Sequence, residues 1–400
     1  MIKRRKLSPV LKDFIEDNPL KEYRIIIEAK SSIDTIIKKI SSSKGIVLKT
    51  ISSLNIISAK VSSAIIDRLC ELPAIDYITL DDTALLCGVG IHSANNVSYK
   101  FSLPGSGKGI TIGIVDSGVF PHPCLTRPIN KLRKFYDLIN DVPYPYDDNG
   151  HGTFISGVIC GDGKDSKNMY KGIASSSNIF MVKAFDAMGR GYISDILFAI
   201  DTIISSAEEE NIKILCLPFE TLTYDKHINS YFYNIFNLCK SKNIIVIVPS
   251  GNNRNQQDSI RGIATLSNCI TVGGISSSLG YTNYEYSSLG DGKFSKKPDF
   301  LAACVEITSL NTDKNYVSIK NGLKQYPHKL DKPYVNFTGT SISCAYLSAL
   351  CSIIYEIKPT LTTEDIYSLL ILSSRRIDTL GDNQGHGIIN VELLSSNLKE

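Results

Sequence analysis

Gly109-Ile110-Thr111-Ile112-Gly113-Ile114-Val115-Asp116-Ser117-Gly118 is a short β-branched run that ends in a carboxylate and a glycine. A run with no polar face reads as a strand covered on both sides, the mark of a parallel sheet between layers of helices. Asp116 then stands at the C-terminal edge of that strand, where open α/β sheets keep their ligand crevices. Downstream the pattern alternates: Asn178 to Ala184 as a strand, Ile193 to Glu209 as an amphipathic helix and Ile212 to Leu217 as a strand. His227 to Lys240 follows as a helix and Ile244 to Val248 as a strand. This order predicts a three-layer α/β fold with a doubly wound parallel sheet.

Two further segments carry chemistry. In Asp148-Asn149-Gly150-His151-Gly152-Thr153-Phe154-Ile155-Ser156-Gly157-Val158, a histidine between two glycines opens an apolar helix. In Asn336-Phe337-Thr338-Gly339-Thr340-Ser341-Ile342-Ser343-Cys344-Ala345, a Gly/Thr turn opens an apolar run that reaches about Ile357. A hydroxyl at such a helix start sits at the positive end of the dipole among unpaired N–H groups, a good place for a nucleophile. Capping preference alone would make Thr340 and Ser341 ordinary helix starts. The company of Asp116 and His151 turns Ser341 into a candidate nucleophile.

Asp, His and Ser in this chain order follow one of the known arrangements of the Ser-His-Asp machine. The chain resembles the subtilisin family (subtilases, S8-type serine proteases) from about Lys108 to Asn390. Besides the three segments above, the likeness covers Ile245-Val246-Ile247-Val248-Pro249-Ser250-Gly251-Asn252, Lys171-Gly172-Ile173-Ala174, Met181-Val182-Lys183-Ala184-Phe185-Asp186, Lys297-Pro298-Asp299 and Gly385-His386-Gly387-Ile388-Ile389-Asn390. The resemblance implies a catalytic triad of Asp116, His151 and Ser341 and an oxyanion-hole amide on Asn252. It further implies a protein or peptide substrate and chemistry that requires no cofactor. Where many members carry Ser-Leu-Gly-Gly lining the pocket for the residue before the cut, this chain has Leu217-Pro218-Phe219-Glu220. Added bulk and charge, and a backbone donor lost at Pro218, predict a reshaped pocket and few permitted substrates.

Other departures are smaller. The proline that often follows the nucleophile is missing, and Ala302-Ala303-Cys304 replaces a common Ala-Pro-Gly. The loop from Asp162 to Tyr170 holds several oxygen-bearing side chains without a calcium-loop pattern, and a structural calcium ion is left open there. The altered pocket also keeps a second reading in play, a catalytically silent relative that binds peptides or partner proteases.

The chain ahead of the resemblance divides into a charged lead-in over 1–22, with a short helix over Pro9 to Asp17, and a regular region over 23–86. There Tyr23 to Glu28, Gly45 to Leu48, Leu54 to Val61 and Ile75 to Leu80 read as strands, Ser32 to Ile40 and Ser62 to Leu72 as helices. The sum is a β-α-β-β-α-β unit of about 60 residues, the ferredoxin-like arrangement. Placed before a subtilase-like region, it resembles that family's propeptide, an intramolecular inhibitor whose tail lies in the active-site cleft. Asp81 to Tyr99 is expected to be tail and linker with a self-cleavage site, 87–107 the linker region as a whole, and 108–400 the catalytic domain.

Composition sets outer limits. With 43% hydrophobic residues, 400 residues can bury a full core, and a net charge of +3 with no basic cluster interleaved with aromatics gives no nucleic-acid surface. The basic start Met1-Ile2-Lys3-Arg4-Arg5-Lys6 is followed by charged residues where a signal peptide needs an apolar stretch, and no apolar run reads as a membrane span. Most of the 10 cysteines lie singly in apolar stretches without zinc-like spacing, as buried thiols in a reducing compartment would, so a cytoplasmic location is expected. Pro104-Gly105-Ser106-Gly107-Lys108-Gly109 lacks the phosphate-loop pattern and precedes its strand, so nucleotide binding is set aside. His122, His227, His328 and His386 read as loop or surface residues.

Overall fold

The run that leads to Asp116 is a strand, Thr111–Asp116, with every residue buried. A computed structural model of the chain describes residues 6–17, 20–51, 55–81, 89–95, 103–221, 226–277, 280–290 and 297–399. Its contacts fall into two units, Met1–Cys87 and Gly88–Glu400.

In the larger unit Thr111–Asp116 sits inside a 10-stranded sheet, between Ile212–Cys216 and Asn178–Lys183 and parallel to both. Beyond these, Leu132–Asp137 closes one side, and Ile245–Pro249, Ile270–Ser276 and Phe300–Ala303 extend the other, all in parallel pairings. Alternation along the strand sends Ile112 and Ile114 into a core with the helices His151–Cys160 and Thr340–Ile357. Val115 enters the opposite core with Ile193–Ser205 and Lys226–Ser241. These are the two helical layers the alternation requires. Gly113 lets a helix lie close, since a Cβ there would stand 2.6 Å from Ile203.

Three features correct the sequence reading. First, part of the expected linker belongs to the larger unit: Val89–Gly90 is a strand parallel to Ile307–Leu310, and Ile91 and Ala94 are buried. Two-residue strands show no periodicity, so composition suggested a linker. The rest of the proposed tail, 82–88 and 96–99, and residues 100–102 of the linker lie outside the described residues. Second, Thr340–Ile357 is long and apolar enough to cross a membrane by composition, yet 83% of it is buried, which makes it the central core helix. Third, His122 is 1% exposed, and its Nδ1 accepts the Cys124 N–H at 3.1 Å. The glycine-rich turn does bind an anion, but an internal one: the N–H groups of Ser106 and Gly107 both donate to the Glu356 carboxylate at 2.6 Å.

The smaller unit carries strands Tyr23–Ala29, Ile46–Ile51, Ile56–Val61 and Ile75–Leu80 and helices Ile33–Ser42 and Ser63–Cys70. The four strands form an antiparallel sheet with the second and third at one edge and the fourth beside the first, the ferredoxin-like order. Its core joins Ile25, Ile27, Ile36, Ile40, Ile66 and Leu69, and the helix Pro9–Asp17 adds Leu11 to it.

Candidate active site

Asp116 ends its strand 4% exposed, with Oδ1 accepting the Ser117 N–H at 2.6 Å. His151 is the first residue of His151–Cys160, and its Nδ1 lies 2.9 Å from both carboxylate oxygens of Asp116. Glycine is required beside it, because a Cβ on Gly152 would run into the Gly118 carbonyl and the Asp116 side chain. Burial alone would lower the imidazole pKa, but the charge and hydrogen bond of Asp116 outweigh it and hold it above the ordinary 6.5.

A second carboxylate organises this corner. Asp147, 1% exposed, accepts from Ser117 Oγ (2.9 Å), Gly150 N–H (2.8 Å), Thr153 N–H (2.9 Å) and Thr153 Oγ1 (2.6 Å). Ser117 Oγ in turn accepts the Gly152 N–H at 3.0 Å, so the end of the Asp116 strand and the start of the His151 helix are tied together. Lys183, 0% exposed, donates to the Ser117 carbonyl (2.6 Å), the Asp148 carboxylate (2.7 Å) and the Phe185 carbonyl (2.9 Å). Composition gave no cue to these two roles. Lys183 lies in a segment that the resemblance covers, but nothing in its neighbours says what it holds, and Asp147 precedes the quoted histidine segment by one residue.

Ser341 lies in the first turn of Thr340–Ile357, where its N–H has no intrahelical acceptor. Its hydroxyl donates to the Pro218 carbonyl at 2.7 Å. Pro218 also lines, with Asp116, His151, Phe185 and Phe219, a cleft of about 210 Å³. The nucleophile candidate and the imidazole thus flank the same proline. Asn252 follows the strand Ile245–Pro249, and its Oδ1 accepts from Thr340 N–H at 3.2 Å and Thr340 Oγ1 at 3.3 Å. This occupies the carbonyl end of the amide and leaves the NH₂ end as the donor.

The stretch 217–220 divides. Pro218 and Phe219 line the cleft, with Phe219 packed on Phe185 at a centroid distance of 5.0 Å. Leu217 does not: its side chain is 0% exposed in the core beneath, because alternation at the strand end turns it to the helical layer. Glu220 turns toward the Asn252 segment, its Oε2 accepting from Asn253 Nδ2 at 2.8 Å and the Asn252 N–H at 3.4 Å. Cys344, one helical turn after Ser341, is buried with Sγ 3.2 Å from the Ile247 carbonyl and 3.7 Å from Cys216 Sγ. Burial and that neighbour raise its pKa, so it stays a protonated thiol outside the chemistry. Among the described residues, no group of three or more His, Cys, Asp or Glu is placed to hold a metal ion.

The family model described as "Subtilase family" matches residues 107–387. Among curated proteins, serine protease AprX of Bacillus subtilis (strain 168) is 29% identical over 72% of this chain and 66% of its own length. The thermophilic serine proteinase of Bacillus sp. (strain AK1) is 28% identical over 58% of this chain and 52% of its own. The chain therefore spans from about half to just under two thirds of the length of these two relatives. Fervidolysin from Fervidobacterium pennivorans, described as a keratinolytic enzyme related to subtilisin, superposes with a TM-score of 0.61 at 18% identity. That match covers 94% of this chain and 61% of the solved one and speaks to the fold. With the Asp116–His151 pair in a cleft lined by Pro218, whose carbonyl holds the Ser341 hydroxyl, and the family model spanning most of the chain, the protein belongs to the subtilase family.

Proposed function

We propose that the protein is a serine endopeptidase in which Asp116, His151 and Ser341 form the triad and Asn252 donates to the oxyanion. The observation that carries this reading is the imidazole held by Asp116 at 2.9 Å, in a cleft whose Pro218 wall is bonded to the Ser341 hydroxyl. With the Nδ1 proton committed to Asp116, Nε2 of His151 is the free base. Ser341 Oγ leaves the Pro218 carbonyl, passes its proton to Nε2 and bonds to the scissile carbon. The carbonyl oxygen gains the negative charge opposite the Asn252 NH₂ and the Ser341 N–H. As the C–N bond breaks, His151 hands the proton to the departing amine, and water repeats the sequence to free the acyl group. Protein groups suffice for every step, and no cofactor enters.

Specificity is narrow. Phe219 and Glu220 stand where glycines would leave room, which supports action on a few proteins or peptides, such as the maturation of a precursor. Indiscriminate cleavage of casein would contradict this. The N-terminal ferredoxin-like unit acts as an intramolecular inhibitor released by self-cleavage, and intact mass compared with Ser341→Ala tests it, since identical full-length masses count against self-processing. The buried unpaired thiols support a reducing compartment, the cytoplasm.

One observation favours a second reading, a silent relative that binds peptides: the Ser341 hydroxyl has a single proton and gives it to Pro218. A fluorophosphonate probe separates the two. Labelling of the wild type and none of Ser341→Ala supports the endopeptidase, and no labelling of either supports the silent binder.

A further inference from the structure

We infer that the hairpin arm over 312–333 docks an acidic segment of the polypeptide substrate, outside the cleft; this rests on the endopeptidase reading above. The strands Ile307–Leu310 and Tyr334–Phe337 pair antiparallel, and the chain between them folds into a second hairpin, Ile319–Lys320 against Leu323–Lys324. Asn321 and Gly322 turn it with φ of 50° and 75°, the geometry of a tight two-residue turn.

The arm is fastened to the loop that leads to His151. Thr312 Oγ1 donates to the Asp147 carbonyl at 3.1 Å, and Ser318 Oγ donates to the Tyr144 carbonyl at 2.9 Å. Tyr316 packs edge-on against Phe120 at a centroid distance of 5.2 Å, and its hydroxyl donates to the Gln325 carbonyl at 2.7 Å. Lys314 Cε would stand 3.6 Å from a Cβ on Gly150, the residue before the imidazole. A polypeptide reaching from the cleft toward this loop meets a surface already fixed, which spares the cost of ordering it.

That surface carries one sign of charge. Lys314, Lys320, Lys324, Lys329 and Lys332 are all exposed, with Asp313 and Asp331 as the arm's own carboxylates. The recorded ion-pair partner of Asp313 is His328, at 3.8 Å, and among the described residues no carboxylate pairs with any of these lysines. Lys324 sits over the Tyr144 and Tyr326 rings at 5.0 and 5.5 Å, which leaves its N–H groups to an anion. Like charges held close on a rigid arm repel one another, and carboxylates brought by a partner relieve that. Val317, Leu323 and Tyr326 are 60%, 70% and 80% exposed among them, so the segment that fits is acidic with apolar side chains between the charges. Anionic lipid would also meet lysines, but the arm's ties run to the loop of the imidazole, and a substrate is the partner that touches both.

The test takes a quenched fluorogenic peptide that the wild type cuts and extends it, through a Gly-Ser linker at either end, by a run of Glu, Gln or Lys. At one of the two ends the Glu run should raise kcat/KM over the Gln run by about fivefold or more, and the advantage should fade as salt rises from about 50 to about 300 mM. Lys320→Glu/Lys329→Glu should lose that advantage, favour the Lys run instead, and cut the unextended peptide within about twofold of wild type. A gained preference is a result that misfolding cannot give. Lys167→Glu/Lys242→Glu, at two exposed lysines outside the arm, changes the net charge equally and should behave as wild type. No Glu advantage in the wild type overturns the inference, as does an advantage that salt leaves untouched or an equal loss in the two double variants. Binding to phosphatidylcholine/phosphatidylglycerol vesicles that Lys320→Glu/Lys329→Glu abolishes, with no effect on the peptides, also overturns it and gives the arm to a lipid surface. Binding of the Glu-extended peptide to Ser341→Ala, read by fluorescence anisotropy, needs no turnover. Weaker binding when the two arm charges are reversed in that background supports the inference, and equal binding overturns it. A failure of fluorophosphonate labelling in the wild type instead sinks the endopeptidase reading, so the two failures are distinguishable.

Discussion

Replacing Asp116 by asparagine changes one atom, and the geometry says what that atom does. Oδ1 of Asp116 accepts the Ser117 N–H at 2.6 Å, so the carbonyl oxygen of the new amide must keep that place. Its NH₂ then takes the position of Oδ2, 2.9 Å from Nδ1 of His151. The amide oxygen, also 2.9 Å from Nδ1, is neutral and already holds the Ser117 N–H, while the NH₂ opposite Nδ1 favours the tautomer with its proton on Nε2, the atom that has to receive the Ser341 proton. Loss of the charge-assisted bond alone is worth about 1.5–3 kcal/mol, or roughly ten- to 150-fold in rate. The inverted tautomer raises the loss toward about 10⁴-fold. The pH profile moves as well. In the wild type the base works only when neutral, and its pKa is held above 6.5, so activity falls as pH drops through a midpoint above that value. Without the carboxylate the dominant remaining influence is burial, which lowers the pKa, so the acid limb of the variant shifts to lower pH and the gap to wild type narrows on acidification. The second-order rate of fluorophosphonate labelling from about pH 5 to about pH 9 measures both effects. Labelling within tenfold of wild type, with an unmoved acid limb, would refute the assignment of Asp116.

Two other substitutions probe neighbouring parts of the machine. Asn252→Ala removes one oxyanion donor and should lower kcat by about a hundredfold or more, roughly 3 kcal/mol, with the fold intact; undiminished turnover removes Asn252 from the site. Lys183→Met strips the Ser117 and Phe185 carbonyls and the Asp148 carboxylate of a buried donor. Urea denaturation should show a cost of about 3–5 kcal/mol, and a loss below about 1 kcal/mol would mean the ammonium is not holding that corner.

How much of this was legible follows from the kind of signal each residue leaves. The strand ending at Asp116 could be read because burial on both faces demands an uninterrupted apolar run, and the ferredoxin-like unit because its strands and helices each keep a clean period. Asp116, His151 and Ser341 were visible through their immediate neighbours, glycines and a helix start, which are local. Lys183 and Asp147 were not, since their roles depend on partners brought by the fold: the carbonyl that Lys183 holds is 66 residues away. Leu217 was misplaced for a related reason. One residue of phase at a strand end decides between cleft and core, and the sequence pattern does not fix phase that finely. The same blindness to distant pairing hid the strand Val89–Gly90, whose partner lies beyond residue 300.

Asp147 offers the sharpest separation of scaffold from chemistry. Its Oδ1 accepts from Ser117 Oγ, Asn149 N–H and Gly150 N–H, and its Oδ2 from Thr153 N–H and Oγ1. In Asp147→Asn one of these oxygens becomes an NH₂. A hydroxyl can rotate to accept from it, but a backbone N–H cannot, so the less costly orientation sets the NH₂ against Thr153 and orphans a single buried N–H. That costs about 1–3 kcal/mol of stability. If the role of Asp147 ended there, the folded fraction would label at the wild-type rate. The chain of bonds argues otherwise: Asp147 holds Ser117 Oγ, Ser117 Oγ holds the Gly152 N–H, and Gly152 follows the imidazole directly. In the variant Oδ1 still accepts from Ser117 Oγ, now as the weaker oxygen of a neutral amide, and the lost Thr153 N–H bond lies in the first turn of the His151 helix, so both ties loosen and let His151 drift from Asp116, where a displacement of about 1 Å can cost a hundredfold. Labelling measured well below the melting temperature should therefore be slower by at least about tenfold although the protein is folded. An unchanged rate alongside the lowered stability would show that His151 is held by its contact with Asp116 alone.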